Sequence, residues 1–181
     1  ENQKTRVTLC PASGGRVLEY AINGKNALYL PPGQEGWAYE PGREQSWLYA
    51  GRFDIGPEQV IANHPQLFMG RWNGEITGSR SARLTSVKDK PTGVQLIREF
   101  TLDDNSTRLE CRQTVTNISR RTTEYCYWSR TFVPGAGVCL VPLTEPSRFP
   151  KQYIMYEPGA LLNIGPVDPN IRVRDGFLEI V

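Results

Sequence analysis

Val7-Thr8-Leu9-Cys10-Pro11-Ala12-Ser13-Gly14-Gly15-Arg16-Val17-Leu18-Glu19-Tyr20-Ala21-Ile22-Asn23-Gly24-Lys25-Asn26-Ala27-Leu28-Tyr29-Leu30 is the stretch that decides the fold class. Three short β-prone runs are divided by Gly14-Gly15 and by Asn23-Gly24. A type I′ hairpin turn needs φ above zero at both central residues, which Asn-Gly supplies at small steric cost. The stretch therefore predicts strands that meander antiparallel.

The same grammar continues downstream. Residues 82–87, 93–102, 108–115, 123–133, 137–142 and 177–181 read as strands, separated by turn residues such as Asp89, Pro91 and the run Asp103-Asp104-Asn105-Ser106. Within 108–115, Leu109, Cys111 and Val115 fall on one face, and Arg108, Glu110, Arg112 and Thr114 on the other, because strand side chains alternate with period two. No segment sustains a 3.6-residue period with caps, so helix is minor. An all-β antiparallel sandwich in a single domain spanning 1–181 is expected.

Charge narrows the partners. Lysine and arginine number 21 against 19 acidic residues, a net charge of +2, and the two signs are interspersed. A nucleic-acid surface would gather basic residues into a stripe, so no nucleic-acid partner is expected. No apolar run approaches the roughly 20 residues of a membrane-spanning helix, and no membrane insertion is expected. The start Glu1-Asn2-Gln3 fits export to the periplasm or beyond after signal removal, and fits tag removal equally well. Cys10, Cys111, Cys126 and Cys139 lie far apart with no Cys-Xaa-Xaa-Cys pair, which speaks against a structural zinc site. They read either as two disulfides of an exported protein or as small buried hydrophobes on strands.

From 31 to 72 the chain changes character. Pro31-Pro32-Gly33, Trp37, Tyr39, Trp47, Tyr49, Gly51-Arg52-Phe53-Asp54-Ile55-Gly56-Pro57-Glu58 and Asn63-His64-Pro65 make a long irregular stretch rich in aromatics and charge. Such a stretch is a poor core element, since its backbone polar groups need water or specific partners, and it is where a ligand is first sought. Its alternative is an Ω-like loop whose aromatics cover one open end of a sandwich.

The opening stretch, with its strand, Gly-Gly-Arg-Val turn and following Gly-Lys-Asn-Ala-Leu segment, resembles the galactose-mutarotase-like (aldose 1-epimerase-like) β-supersandwich proteins. The order of Gly51 to Glu58, Met69-Gly70-Arg71-Trp72, Leu84-Thr85-Ser86, Thr92 to Leu96, Val115-Thr116-Asn117-Ile118-Ser119 and Trp128-Ser129-Arg130-Thr131 extends that resemblance over nearly the whole chain, closest to uncharacterised members. The resemblance implies a supersandwich, here incomplete at its C-terminus, and a sugar-handling surface. Relatives with established activity use two histidines and a carboxylate pair. This chain carries one histidine, His64, so the two-histidine arrangement is absent and aldose 1-epimerase activity of that kind is not expected.

A pyranose presents a hydroxyl rim to planar hydrogen-bonding groups and a C–H face to an aromatic ring. The expected ligand-binding residues are accordingly Arg52, Trp72, Arg98, Arg112, Trp128 and Arg130, with Glu58 and His64 as candidate acid and base and no metal or cofactor. Each has a plainer alternative: Trp128 as core filler, Arg98, Glu110 and Arg112 as cross-strand ion pairs, His64 as a turn residue. A glycosidase would instead pair two carboxylates among Glu58, Glu110, Glu124 and Glu157. Three functions follow: a carbohydrate-binding module, a carbohydrate-active enzyme with a substituted acid/base pair, or an interaction domain that docks a partner through Trp37, Tyr39 and Trp47.

Overall fold

The computed structural model describes residues 1–42, 48–58, 60–147, 149, 152–153 and 168–181. Trp47 and Glu157 lie outside them. The chain divides into two compact units, Glu1–Pro134 and Gly135–Val181.

In the first unit, β1 (Thr5–Cys10) pairs antiparallel with β2 (Arg16–Ile22), and β2 with β3 (Lys25–Asn26). Both predicted turns have the expected backbone: φ is 63° and 56° at Gly14 and Gly15, and 50° and 78° at Asn23 and Gly24. Gly15 is required twice over, because a Cβ there would lie 2.4 Å from Cε3 of Trp72. A short β4 (Gly51–Arg52), β5 (Ile55–Gly56) and the single-turn helix α1 (Pro65–Phe68) follow. Then β6 (Asn73–Gly78), β7 (Ser81–Thr85), β8 (Val94–Leu102) and β9 (Leu109–Asn117) form a four-stranded antiparallel sheet in chain order. The unit closes with β10 (Cys126–Tyr127) and β11 (Arg130–Thr131).

Alternation in β8 organises the core. Val94, Leu96, Phe100 and Leu102 are buried, and the intervening Gln95, Ile97, Glu99 and Thr101 are not. Val94, Leu96 and Phe100 join Val17 of β2, Leu84 of β7, and Leu28, Ala50, Phe53, Ile55, Leu67 and Trp72 in one apolar cluster. Each such side chain contributes about 1.5–3 kcal/mol on burial.

Two expectations need correction here. The stretch 31–72 is not a surface loop throughout: Leu48, Phe53, Ile55, Leu67, Met69 and Trp72 are fully buried. The backbone of residues 50–56 finds partners in the segment 126–132. Nor is 123–133 one long strand, since β10 pairs with β5 and β11 with β4 as two separate ladders. They nonetheless keep one register, with Cys126 facing Gly56, Tyr127 facing Ile55, Arg130 facing Arg52 and Thr131 facing Gly51. Between them Trp128 N–H donates to Asp54 O at 3.0 Å, and the Ser129 hydroxyl donates to Arg52 O at 2.9 Å, where a backbone donor would continue the ladder.

The second unit holds β12 (Cys139–Pro142), β13 (Ile171–Arg174) and β14 (Phe177–Ile180) in the order β12-β14-β13. Asp175 and Gly176, at φ 49° and 79°, make the β13–β14 hairpin. Apart from α1, the described residues are thus all-β, in several antiparallel sheets, and among them no sheet closes into a barrel. No helix among them is long and apolar enough to cross a membrane. All four cysteines are free: Cys10 is buried, Cys111 half-buried, and Cys126 and Cys139 exposed. Each sits on a strand, but only Cys10 behaves as a core residue.

Candidate functional site

The shared register of 50–56 and 126–132 decides which side chains meet. Successive strand residues point to opposite faces, so Phe53 and Ile55 go to the core, and Arg52 and Asp54 go to the other face with Trp128 and Arg130. Phe53 and Ile55 accordingly belong to the apolar core cluster, while Arg52 and Asp54 are equally enclosed on the polar side. Gly56 leaves room for the neighbouring indole: a Cβ there would meet Cε3 of Trp128 at 2.8 Å. The Arg130 guanidinium lies 5.5 Å from the centroid of that same ring.

Glu58 joins the face from the chain beyond β5. Its Oε2 accepts from Arg130 Nη2 at 2.6 Å and stands 3.9 Å from Arg52 Nη2, an ion pair too long for a hydrogen bond. The Glu58 and Arg130 side chains are each about one-third exposed, whereas Arg52 is 4% exposed. Arg52 also lies over the Phe68 ring, 5.4 Å from its centroid. Burial, followed by the like charge of Arg130, pulls Arg52 below the ordinary arginine range, against the attraction of Asp54 and Glu58. Its Nε and Nη2, together with Trp128 Nε1 and Asp54 Oδ2, are buried without a hydrogen-bond partner.

His64 is tied to this cluster from behind. Its Nε2 lies 3.0 Å from Asp54 Oδ1 and its Nδ1 2.6 Å from Ala62 O. Both neighbours are acceptors, so the charged imidazole, with both ring nitrogens donating, satisfies both contacts. Burial opposes that charge, but the Asp54 hydrogen bond, the Ala62 carbonyl and the charges of Asp54 and Asp89 outweigh it and raise the pKa. Asp54 Oδ1 accepts in addition from Ile55 N–H at 2.8 Å. With both nitrogens engaged, His64 has no position left to take or deliver a substrate proton. It positions Asp54 instead.

The structure thus brings Arg52, Glu58, Trp128 and Arg130 together, with His64 one contact further through Asp54. Trp72, Arg98 and Arg112 stand elsewhere. Trp72 is 2% exposed, its indole N–H donates to Leu67 O at 2.8 Å, and it belongs to the core rather than to a ligand surface. Arg98 shares the inward period of β8; its Nη1 donates to Gly15 O at 2.7 Å and Gly51 O at 3.3 Å, and its guanidinium lies over Phe100. That arginine fastens β8 to the first sheet. Arg112 is exposed on β9, opposite Glu99, which is already paired with Arg83 at 2.8 Å.

Asp54 and Phe68 belong to the cluster but were not among the expected residues. Asp54 was legible as the period-two neighbour of Arg52; Phe68 carried no signal. Two clefts lie apart from the cluster. One of about 300 Å³ is lined by Val7, Leu9, Arg80, Phe100, Leu102 and Leu109 among others, and one of about 480 Å³ by Asn63, Pro65, Gln66 and residues 87–91. Among the described residues no group of acidic, histidine or cysteine side chains could hold a metal.

No protein-family model matches this chain, and no curated protein or solved structure matches it either.

Proposed function

We propose that this protein binds carbohydrate through the face carrying Arg52, Glu58, Trp128 and Arg130, on a galactose-mutarotase-like supersandwich scaffold. The observation that carries the reading is the meeting of the Arg130–Glu58 pair with Trp128. A partly exposed guanidinium and carboxylate, 2.6 Å apart beside an indole, offer donors and acceptors to vicinal hydroxyls and an apolar surface to sugar C–H groups. Binding without catalysis is favoured because His64, the one histidine, has both nitrogens engaged inside the protein. Among the described residues, that leaves Glu58 without a second proton-transfer group at hydrogen-bond distance, apart from arginine, which stays protonated.

Calorimetric titration with a panel of monosaccharides and oligosaccharides tests the reading. Binding is expected that weakens at least about tenfold, or about 1.4 kcal/mol, in Trp128→Ala and in Arg130→Ala. Absence of binding to every glycan would defeat it. Polarimetry with the same sugars separates the enzyme reading, since mutarotation faster than the uncatalysed rate would require an acid and a base that this geometry does not supply.

A further inference from the structure

We propose that the ligand of this face is an acidic sugar, a uronate, whose carboxylate takes the place that Glu58 holds between Arg52 and Arg130. The inference rests on the carbohydrate-binding reading and adds the chemical class. Its starting point is an imbalance: of the two guanidiniums on this face, only Arg130 is hydrogen-bonded by a carboxylate. Glu58 Oε2 is held by Arg130 at 2.6 Å and stops 3.9 Å short of Arg52. Asp54 does not make up the difference: its Oδ1 is committed to His64 and to the Ile55 N–H, and its Oδ2 makes no hydrogen bond to Arg52.

What remains unpartnered on Arg52 is informative. Nε and Nη2 are the two donors on one edge of the guanidinium, with parallel N–H bonds, and that edge matches the two oxygens of a carboxylate. A buried guanidinium edge left without acceptors costs free energy, so a site that keeps one has a ligand group to receive. Both donors are covered in the structure, and the carboxylate nearest to Nη2 belongs to Glu58, a side chain about one-third exposed and held from outside by Arg130 alone. Glu58 therefore acts as a resident anion. An incoming carboxylate displaces it, gains the Arg52 edge, and leaves the sugar ring beside Trp128.

The experiment is titration of the whole chain with matched pairs: glucuronate and glucose, galacturonate and galactose, the uronate methyl esters, and glucose 6-phosphate. Uronates are expected to bind about tenfold or more tighter than their neutral parents and than their esters. Glu58→Gln is expected to tighten uronate binding several-fold, because it removes a competing anion. Arg52→Lys, which keeps the charge and loses the fork, is expected to erase the uronate preference. Thermal melts confirm that each variant is folded.

If neutral parents or esters bind as tightly as uronates, the uronate assignment fails and carbohydrate binding stands. Tighter binding of the 6-phosphate than of either uronate overturns the carboxylate fork in favour of a simple charge site. Binding of no sugar removes both readings together.

Discussion

Arg130 sits directly across from Arg52 in an antiparallel ladder, two guanidiniums side by side on one face with Glu58 Oε2 between them, 2.6 Å from one and 3.9 Å from the other. Like charges at directly opposed strand positions repel, so this pairing persists only because a carboxylate and the Trp128 ring accompany it.

Gly56→Ala tests the platform apart from its charges. The new methyl would enter the indole at 2.8 Å and displace Trp128, although the backbone there needs no glycine conformation. Glycan binding is expected to fall about tenfold or more, with a stability loss below about 2 kcal/mol, since Trp128 is only half-buried and its ring can move aside. Titration alongside urea unfolding reads both quantities; unchanged binding would remove Trp128 from the site.

His64 predicts a pH dependence of stability with a definite sign. Its folded-state pKa lies above the ordinary value, so its contribution is complete below about pH 6.5, the unfolded value, and is lost as pH rises through the folded value. The melting temperature should therefore fall as pH rises above about 6.5, and His64→Gln should flatten that fall. As the only histidine of the chain, it gives a single imidazole titration by NMR. A midpoint at or below 6.5 would contradict the Asp54 pairing.

Arg98→Met separates a structural arginine from a binding one. The change withdraws donors from Gly15 O and Gly51 O in the interior while keeping much of the stem that packs near Phe100. A loss of about 2–3 kcal/mol is expected, the range for hydrogen bonds to a charged group, with the affinity of the folded fraction for glycans unchanged. Denaturant titration measures the first and calorimetry the second. Lost affinity in a fully folded variant would return Arg98 to the site.

Gly15→Ala should be among the most damaging single-methyl changes in the chain. It places a Cβ at φ 56° and drives it to 2.4 Å from the enclosed Trp72 ring. Left-handed backbone costs roughly 1–2 kcal/mol for a non-glycine residue and overpacking about 1–3 more, so about 2–5 kcal/mol of destabilisation is expected by chemical denaturation. Gly24→Ala, at φ 78° with no heavy atom within 4 Å of its would-be Cβ, isolates the backbone share and should cost about 1–2 kcal/mol.

Free thiols supply a simple check on the strands. Four should react per unfolded chain, and in the native protein Cys126 and Cys139 should modify well before the buried Cys10. Disulfide-linked peptides in a digest of the native protein would contradict this.

Local features were legible from the residues alone. Gly14-Gly15 and Asn23-Gly24 announce their turns because positive φ is a property of the residue itself, and Asp175-Gly176 carried the same signal for the β13–β14 hairpin, of which only the second strand, within 177–181, was expected. Period two likewise exposes the inward row of β8. The same period also puts Arg98 in that inward row, yet a charged residue inside a sheet is credible only once Gly15 O and Gly51 O are seen to receive it.

Pairing between distant segments was not legible. Two-residue ladders such as β4–β11 and β5–β10 are too short to show any alternation, and nothing local says that 50–56 will lie against 126–132. That long-range register makes Arg52 and Arg130 neighbours, while other tertiary contacts seat Trp72 against Gly15 and commit His64 to Asp54. Turn chemistry and strand period are written in consecutive residues, so the sequence by itself determined an antiparallel β protein. Which polar side chains converge depends on backbone hydrogen bonds between segments far apart in the chain, and only the tertiary structure decided it.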